Sequence, residues 1–284
     1  MSEEGRGPFE LAPGVWRLSA ALPGGRLEVN CYLLADGGRS CLVDAGPAAL
    51  ARLLVKEAEA VAPIASLESI LLLDESPYAY TALRSWALAG FRGEVAANWR
   101  VAASLALGGI VPVKGLREEE SRLFAGTWLS MRVLQLERRA GAMAILHEAS
   151  GSLFSGTVGS SSGKDLPPVC SDPELSDKRR FIASYGFARV RSAPSRPGEI
   201  ASLCPRFGSV VAGSLAGEVL RFGEPEASCS DDPGEIESFA RELAVLRSSN
   251  YDLKESMIEA SDAALRDPAS GLYDDEEAAA WGMG

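Results

Sequence analysis

The sequence predicts an α/β fold in which β-sheets and helices are layered into a sandwich. Apolar runs of strand length alternate along the chain with segments whose apolar residues recur at helical spacing. Glycine turns such as Gly37-Gly38 separate these runs. With 284 residues, 46% of them hydrophobic, the chain can bury a full core and corresponds to about one or two domains. A small disulfide-stapled module is thereby excluded.

The first half of the chain begins as a β-meander and continues into β–α units. The third strand follows the Gly37-Gly38 turn and ends at Gly46. The fourth is a buried apolar run, and the two segments that flank it have helical periodicity. Strands are predicted at 14–18, 27–34, 40–46 and 69–73, and helices at 47–61 and 78–88.

The second half repeats this mixture of short strands and helical segments. Strands are predicted at 128–136, 142–146, 152–155 and 209–212, and a short helix at 198–203. Such a chain suits a layered α/β sandwich, because each element buries one apolar face against the next layer.

The charge balance is acidic and excludes several partners. Lys and Arg total 28 against 39 Asp and Glu, a net charge of −11 without a visible basic cluster, so nucleic acid and anionic membranes are repelled. The apolar stretch at 70–73 is far shorter than the roughly 18 residues of a membrane span. Residues 1–4 are acidic where a signal peptide would be basic. We expect a soluble, cytoplasmic protein whose five cysteines are free thiols.

The chain contains one histidine, His147. Zinc and di-iron sites usually draw on several imidazoles, because neutral nitrogen ligands bind these metals without overloading the site with charge. We therefore expect no metal and no cofactor. His147 lies beside Glu148 at a predicted strand and is expected to be a surface or edge histidine rather than a catalyst.

Beyond residue 230 the sequence predicts one long helix. No glycine or proline follows Gly234 until about residue 266, and apolar residues step by four and three, the heptad spacing of a coiled coil. A buried asparagine in such a seam selects a parallel dimer. We expect residues 231–266 to form a homodimer, with a single helix packed on its own domain as the alternative. The seam contains Phe239, Leu243, Leu246, Asn250, Leu253, Met257, Ala260 and Ala264.

Several segments together resemble a known family. They are NCYLL at 30–34, CLVDAG at 41–46, ILLLDESPYA at 70–79, SLFSGTVG at 152–159 and CPRFGS at 204–209. Their order and spacing resemble the "NxYLL", "LIDTG", "l-H-x-H/E-x-D-H", "iLFSGDlgg" and "aPqHGs" segments of the metallo-β-lactamase fold, in its flavodiiron and oxygen-binding di-iron branch. The resemblance covers about residues 9–215. It implies an αββα sandwich, which we assign to residues 1–230.

The resemblance also implies that every metal-ligand position of the family is substituted. Arg138 stands where the family has a ligand histidine, so a fixed positive charge replaces a divalent cation and we expect an Asp74–Arg138 ion pair. Asp44 matches a structural aspartate of the fold, or is a strand-end cap. The predicted ligand pocket, at the former metal site, contains Asp74, Ser76, Tyr78, Ala79, Arg138, Thr157 and Phe207.

Two other patterns have simpler interpretations. Asp74-Glu75 has the composition of a general acid/base pair, but adjacent side chains diverge at a strand end and no nucleophile accompanies them. The SSSGK sequence at 160–164 lacks the spaced glycine of a phosphate-binding loop and is expected to be a flexible loop.

The C-terminal end carries a second resemblance. Residues 266–274 read RDPASGLYD and resemble the "rDpLTGLyNrr" segment that opens GGDEF-type diguanylate cyclase domains. This implies that residues 267–284 are the vestigial or truncated start of such a domain and that the preceding helix is a signalling helix. The signature loop is absent, so the chain cannot cyclise nucleotides itself. An acidic disordered end is the alternative.

These patterns predict a non-catalytic, metal-free metallo-β-lactamase-like sensory or interaction module that dimerises and is linked to cyclic di-GMP signalling. The expected partners are a second copy of the chain and a GGDEF-type cyclase or another signalling protein. The alternative is an enzyme of the same fold, of the hydrolase or di-iron oxygen-binding type. It would use a site rebuilt from Asp74, Glu75 and Arg138, or one mononuclear metal.

Overall fold

Two mixed β-sheets form the body of the protein in the computed structural model. It describes residues 7–22, 28–107, 113–116, 131–135, 142–160, 166–171 and 200–212. The seven strands of the first sheet follow one another in sequence order. They are β1 (Phe9–Ala12), β2 (Val15–Ala21), β3 (Glu28–Asp36), β4 (Arg39–Val43), β5 (Leu67–Leu72), β6 (Glu94–Asn98) and β7 (Val113–Leu116).

The first sheet changes from antiparallel to parallel at β4. Strands β1 to β4 pair antiparallel. Strands β4 to β7 pair parallel, because helices connect them across one face of the sheet. The helices are α1 (Ala51–Glu59), α2 (Pro77–Tyr80), α3 (Leu83–Leu88) and α4 (Trp99–Leu107), with 3₁₀ turns at Ala48–Leu50 and Ile64–Ser66.

The second sheet contains six strands in the order β11-β13-β12-β10-β9-β8. Strand β10 lies at its middle, antiparallel to β9 and parallel to β12. The strands are β8 (Met131–Gln135), β9 (Met143–His147), β10 (Ser152–Gly156), β11 (Val169–Ser171), β12 (Ser202–Pro205) and β13 (Val210–Ala212).

The first sheet separates two hydrophobic cores. Cys31 and Leu33 of β3 point to a core shared with helical residues such as Leu54 and Trp86. Their neighbour Tyr32 points to the other core, which the second sheet completes with residues such as Phe154. Because successive side chains of a strand point to opposite faces, a central strand between two layers is apolar throughout. This explains the continuous apolar run of β3.

The predicted α/β sandwich is confirmed as an α/β fold with two mixed sheets and helices on the outer face of the first. The strands predicted at 14–18, 27–34 and 69–73 correspond to β2, β3 and β5. The helix predicted over 47–61 is α1 preceded by a 3₁₀ turn. Strands β1, β6 and β7 and helix α4 were not predicted.

The helix predicted over 78–88 is divided into α2 and α3. The Ala82 N–H donates to Gly46 O (3.0 Å) instead of to a carbonyl of its own helix. Thr81 Oγ1 donates to Pro77 O (2.7 Å) and accepts from the Ala48 N–H (3.0 Å). The tertiary contacts with residues 46–48 therefore replace the helical hydrogen bond at this point.

The short helix predicted over 198–203 is wrong for the residues that the structure describes. Ser202 begins β12, and Leu203 and Cys204 are buried and pair parallel with β10. A long-range strand partner therefore overrides the local spacing that suggested a helix. The predicted coiled-coil helix at 231–266, with its seam, and the segment 267–284 lie outside the described residues and stay predictions. Across the described ranges, no helix has the length and apolarity needed to cross a bilayer.

Gly46 is required by the conformation that follows β4. Its φ is +84°, and a Cβ there would lie against Leu54 Cδ1 and 3.2 Å from Cys31 Sγ. Gly38 has the same φ of +84°, but a Cβ there meets no atom within 4 Å. Alanine substitution at these two positions therefore distinguishes the cost of backbone strain, which both share, from the cost of steric overlap, which arises at position 46.

We predict that Gly46→Ala destabilises the protein by more than Gly38→Ala. Gly38→Ala introduces only the left-handed strain of about 1–2 kcal/mol, whereas Gly46→Ala adds overpacking of about 1–3 kcal/mol. Urea unfolding monitored by tryptophan fluorescence measures both. An equal loss in the free energy of unfolding for the two variants would show that the core around Leu54 accommodates the added methyl group without cost.

Candidate functional site

Two aspartates lie next to each other at the carboxyl ends of parallel strands. Asp44 follows β4 and Asp74 lies two residues beyond the end of β5. Parallel neighbours end at the same edge of a sheet, so the register of β4 and β5 brings these side chains together. Asp44 has a φ of 60°, a conformation that aspartate tolerates better than most residues.

A buried arginine from the second sheet binds both carboxylates. Arg206 follows β12, and its Nε donates to Asp44 Oδ2 at 2.8 Å. Its Nη1 donates to Asp74 Oδ1 at 2.9 Å and to Asp74 Oδ2 at 3.1 Å. Arg206 is 1% exposed, Asp44 2% and Asp74 5%. We call these three residues the Asp–Arg–Asp network; it joins the edges of the two sheets.

Backbone N–H groups also donate hydrogen bonds to the two carboxylates. Asp44 Oδ1 accepts from the Leu73 N–H (3.0 Å), and Asp74 Oδ1 accepts from the Ser76 N–H (2.9 Å). Arg206 Nη2 is buried and has no hydrogen-bond partner among the described residues. A Cβ placed on Gly156 would lie 3.9 Å from Arg206 Nη2 and 3.9 Å from Asp74 Oδ2, so the end of β10 forms one wall of the site.

The electrostatics of the network favour a permanently charged guanidinium. Burial by itself lowers the pKa of Arg206, but the carboxylates of Asp44 and Asp74 outweigh it and raise that pKa. Burial raises the pKa of Asp44, the Arg206 charge opposes the increase, and the Asp74 charge adds to it. Arg206 is therefore the charge that makes two buried carboxylates tolerable in one place.

Strand β3 holds the turn that carries Arg206. Asn30 donates its backbone N–H to Arg206 O (2.7 Å) and its Nδ2 to Pro205 O (2.9 Å) and Gly208 O (2.8 Å). Tyr32 Oη donates to Pro205 O at 2.6 Å. Arg17 Nε donates to Asn30 Oδ1 (2.9 Å) and thereby orients the amide. The position of Arg206 is thus fixed by its backbone as well as by its side chain.

The other described residues of the predicted pocket lie within a few residues of the network, or of Gly156, along the chain. Ser76 caps α2, with its Oγ accepting from the Tyr78 N–H at 3.4 Å. The Tyr78 and Phe207 rings pack edge to face with centroids 5.0 Å apart. Ala79 is buried, and its carbonyl accepts from the Ala45 N–H at 2.6 Å. Thr157 is buried next to Gly156 in the turn after β10.

Arg138, the predicted partner of Asp74, lies outside the described residues. The guanidinium that the structure brings to Asp74 is that of Arg206, which the sequence prediction missed. A signal was present, because Arg206 is a charged residue between the apolar residues of a segment aligned with a metal-ligand turn. The family resemblance places Phe207 at the former ligand position, and it assigns no role to the neighbouring Arg206.

A metal ion does not fit the residues present. The two carboxylates that could bind one are engaged by the guanidinium, whose positive charge opposes a divalent cation. Within the described ranges, no group of three or more His, Cys, Asp or Glu is placed to hold a metal. The positions aligned with ligands instead contain side chains such as Ala79, Thr157 and Phe207.

His147 lies away from the network. It ends β9 and pairs with Ser152 at the start of β10, whereas Gly156 is at the other end of that strand, roughly 13 Å away at 3.3 Å per residue. His147 Nδ1 is 2.7 Å from Ser150 Oγ, and partial burial lowers the pKa of the imidazole. The sole histidine is therefore a half-buried residue at a strand end.

We predict that Asn30→Ala costs more stability than Tyr32→Phe. Tyr32→Phe removes one hydrogen bond, about 1 kcal/mol, and Pro205 O keeps the bond from Asn30. Asn30→Ala removes the amide bonds to the turn and leaves buried Arg17 Nε without its acceptor, which costs about 2–4 kcal/mol. Urea unfolding of both variants tests the order, and the reverse order would contradict this account of the turn.

Comparisons with known proteins identify the fold. No protein-family model matches the sequence, and no curated protein matches it significantly. Among solved structures, a variant of the flavo di-iron protein from Thermotoga maritima is similar with a TM-score of 0.63 at 15% identity, over 76% of this chain and 61% of that one. Rubredoxin:oxygen oxidoreductase from Desulfovibrio gigas is similar with a TM-score of 0.61 at 13% identity, over 76% and 61%.

A smaller protein is matched over nearly its whole length. The apo chemotaxis sensor ODP from T. denticola is similar with a TM-score of 0.60 at 14% identity, over 80% of this chain and 96% of the sensor. The chain thus spans less than two thirds of the flavodiiron proteins but nearly all of the sensor. At these identities the likeness shows the fold: two mixed sheets in the metallo-β-lactamase-like arrangement of the flavodiiron structures.

Proposed function

We propose that the chain is a non-catalytic, metal-free sensory or interaction module of the metallo-β-lactamase-like fold. The observation that carries this proposal is the Arg206 guanidinium held between Asp44 and Asp74. It lies where the segments that resemble the ligand-bearing motifs converge. A permanent charge of the chain itself takes the place that a metal-dependent enzyme needs for its metal.

The geometry of the network also opposes acid–base catalysis. A general base needs a free lone pair within reach of a substrate proton, and a metal-activated water needs an open coordination position. Asp44 and Asp74 each accept hydrogen bonds from Arg206 and from the backbone. Both are nearly inaccessible to solvent. The carboxylates therefore hold the structure together instead of facing a substrate.

A sensory role is supported by a solved structure that the chain covers almost completely. That protein is a chemotaxis sensor, and this chain spans 96% of it. The match shows only the fold, so the transfer of a sensory role is part of our proposal. Because the network is buried, our proposal does not assign the signalling surface to it.

We propose further that the module acts as a cytoplasmic homodimer through residues 231–266 and controls a GGDEF-type cyclase. The support is the heptad seam with Asn250 and the likeness of residues 266–274 to the opening of such domains. A parallel coiled coil transmits small rotations between the domains it joins, and two cyclase domains must meet for activity. A dimeric stalk is therefore a suitable control element.

We predict that the full chain, purified without chelator, contains only substoichiometric iron, zinc and manganese. The guanidinium occupies the carboxylates that would bind the metal, so adding metal during expression should not change the content. Elemental analysis by mass spectrometry measures it. Stoichiometric metal in the wild-type chain would favour the alternative, an enzyme with a rebuilt or mononuclear site.

We predict that light scattering gives twice the 30.0 kDa of one chain. Deleting the chain from residue 231 onward should give monomers, because the proposed seam is removed.

A second experiment tests whether the helix controls a cyclase. An intact GGDEF domain is fused after Asp267 and cyclic di-GMP formation is compared for the wild-type and Asn250→Leu stalks. A monomer at tens of micromolar concentration, or equal output from both stalks, would contradict the proposed role of the helix.

A further inference from the structure

We propose that Asp44 and Asp74 form a cation-binding site whose ligand is a guanidinium, supplied by Arg206 of the chain itself. The inference rests on the proposed function in one respect, because both hold that no metal ion binds at this site. It goes further in naming the chemical class that the site selects. A planar guanidinium is preferred to a compact divalent ion, and the bound cation joins the two sheets.

The hydrogen-bond geometry matches a guanidinium. Two donors of Arg206 bind two different carboxylates. Nε donates to Asp44 Oδ2 at 2.8 Å, and Nη1 donates to Asp74 Oδ1 at 2.9 Å. These distances are those of charge-assisted bonds, and the two donors are set apart by the rigid fork of one planar group. A lysine ammonium at position 206 has no such fork and would not reproduce both contacts.

The carboxylates are poorly disposed toward a divalent metal. One oxygen of each is held by a backbone N–H, from Leu73 for Asp44 and from Ser76 for Asp74. Two carboxylates are also too few for the four to eight ligands that biological divalent ions adopt, and the described residues supply no third carboxylate, histidine or cysteine to complete such a group. The described part of the site therefore offers acceptors to N–H donors.

Another side of the guanidinium lies near the end of β10. Arg206 Nη2 has no acceptor among the described residues, and a Cβ on Gly156, the last residue of β10, would lie 3.9 Å from it. The Arg206 backbone N–H also donates to Gly156 O (2.6 Å), which keeps this wall in place. The shape of the site thus depends on backbone that remains when the Arg206 side chain is removed.

Arg206→Ala provides the test, with methylguanidinium as the added cation. The variant leaves Asp44 and Asp74 buried without their counter-charge, so we expect a lower melting temperature than in the wild type. Methylguanidinium at millimolar concentration should raise the melting temperature saturably, by about 3–6 °C at ten times its dissociation constant. Sodium chloride at equal ionic strength controls for screening. Mn²⁺ and Zn²⁺ are tested in parallel and should restore less.

Two control variants make the rescue specific. Arg206→Ala combined with Asp74→Asn should show no rescue, because one of the two carboxylates is lost. Arg39→Ala should also show none, since Arg39 Nε bonds to Glu68 Oε1 (2.8 Å) at the exposed surface and no buried cavity is left. Rescue that is equal in these controls, absent in Arg206→Ala, or larger with a divalent metal would overturn the inference.

A second variant covers the case in which Arg206→Ala does not fold. Arg206→Met keeps a side chain of similar length but leaves two buried carboxylates without a counter-charge. Arg206→Met with Asp44→Asn and Asp74→Asn has no charge left at the network. We expect the triple variant to give more soluble protein and a higher melting temperature than Arg206→Met alone. If Arg206→Met is the more stable of the two, Arg206 is only a space-filling residue and the inference fails. Metal in the wild-type chain would instead contradict the proposed function.

Discussion

The ion pairs of Arg206 with Asp44 and Asp74 are the contacts on which the arrangement of the two sheets depends. A helix-covered sheet and a second sheet share a hydrophobic core, but apolar packing has no directional preference. The guanidinium supplies direction, because its two donors must meet carboxylates on neighbouring strands. It therefore fixes where the end of β12 lies relative to the ends of β4 and β5.

This interaction requires support from the residues around it. Two carboxylates beside one guanidinium leave a net negative charge in a buried place, and burial already raises the pKa of Asp44. Backbone N–H groups compensate part of this charge, from Leu73 and Ser76. On the other side, Asn30 and Tyr32 hold the turn of Arg206 through its carbonyl groups. The site is thus built chiefly from backbone contacts to a few charged groups.

The fold could be predicted from the sequence to a large extent, and the site only in part. Hydrophobic periodicity gave β2, β3 and β5, whose apolar residues fill two cores, and a loss of every ligand histidine was evident from the aligned motifs. Arg206 could not be identified as the partner of Asp74, since 132 residues separate them in the sequence. A motif assigns a role only to the residue at each aligned position. The partner occupied an adjacent position, and only the register of β12 against β10 turned its side chain toward the carboxylates.

The buried guanidinium of Arg206 has a consequence for any attempt to build a metal site at this place. Metal binding would require removal of the guanidinium and the addition of several ligands, and the single substitutions along that route are unfavourable. A histidine at position 207 alone would meet a neighbouring cation. Loss of Arg206 alone would expose two carboxylates to each other. The internal cation therefore sets a condition for protein design: a variant intended to bind a metal here has to replace Arg206 and gain its new ligands in the same step.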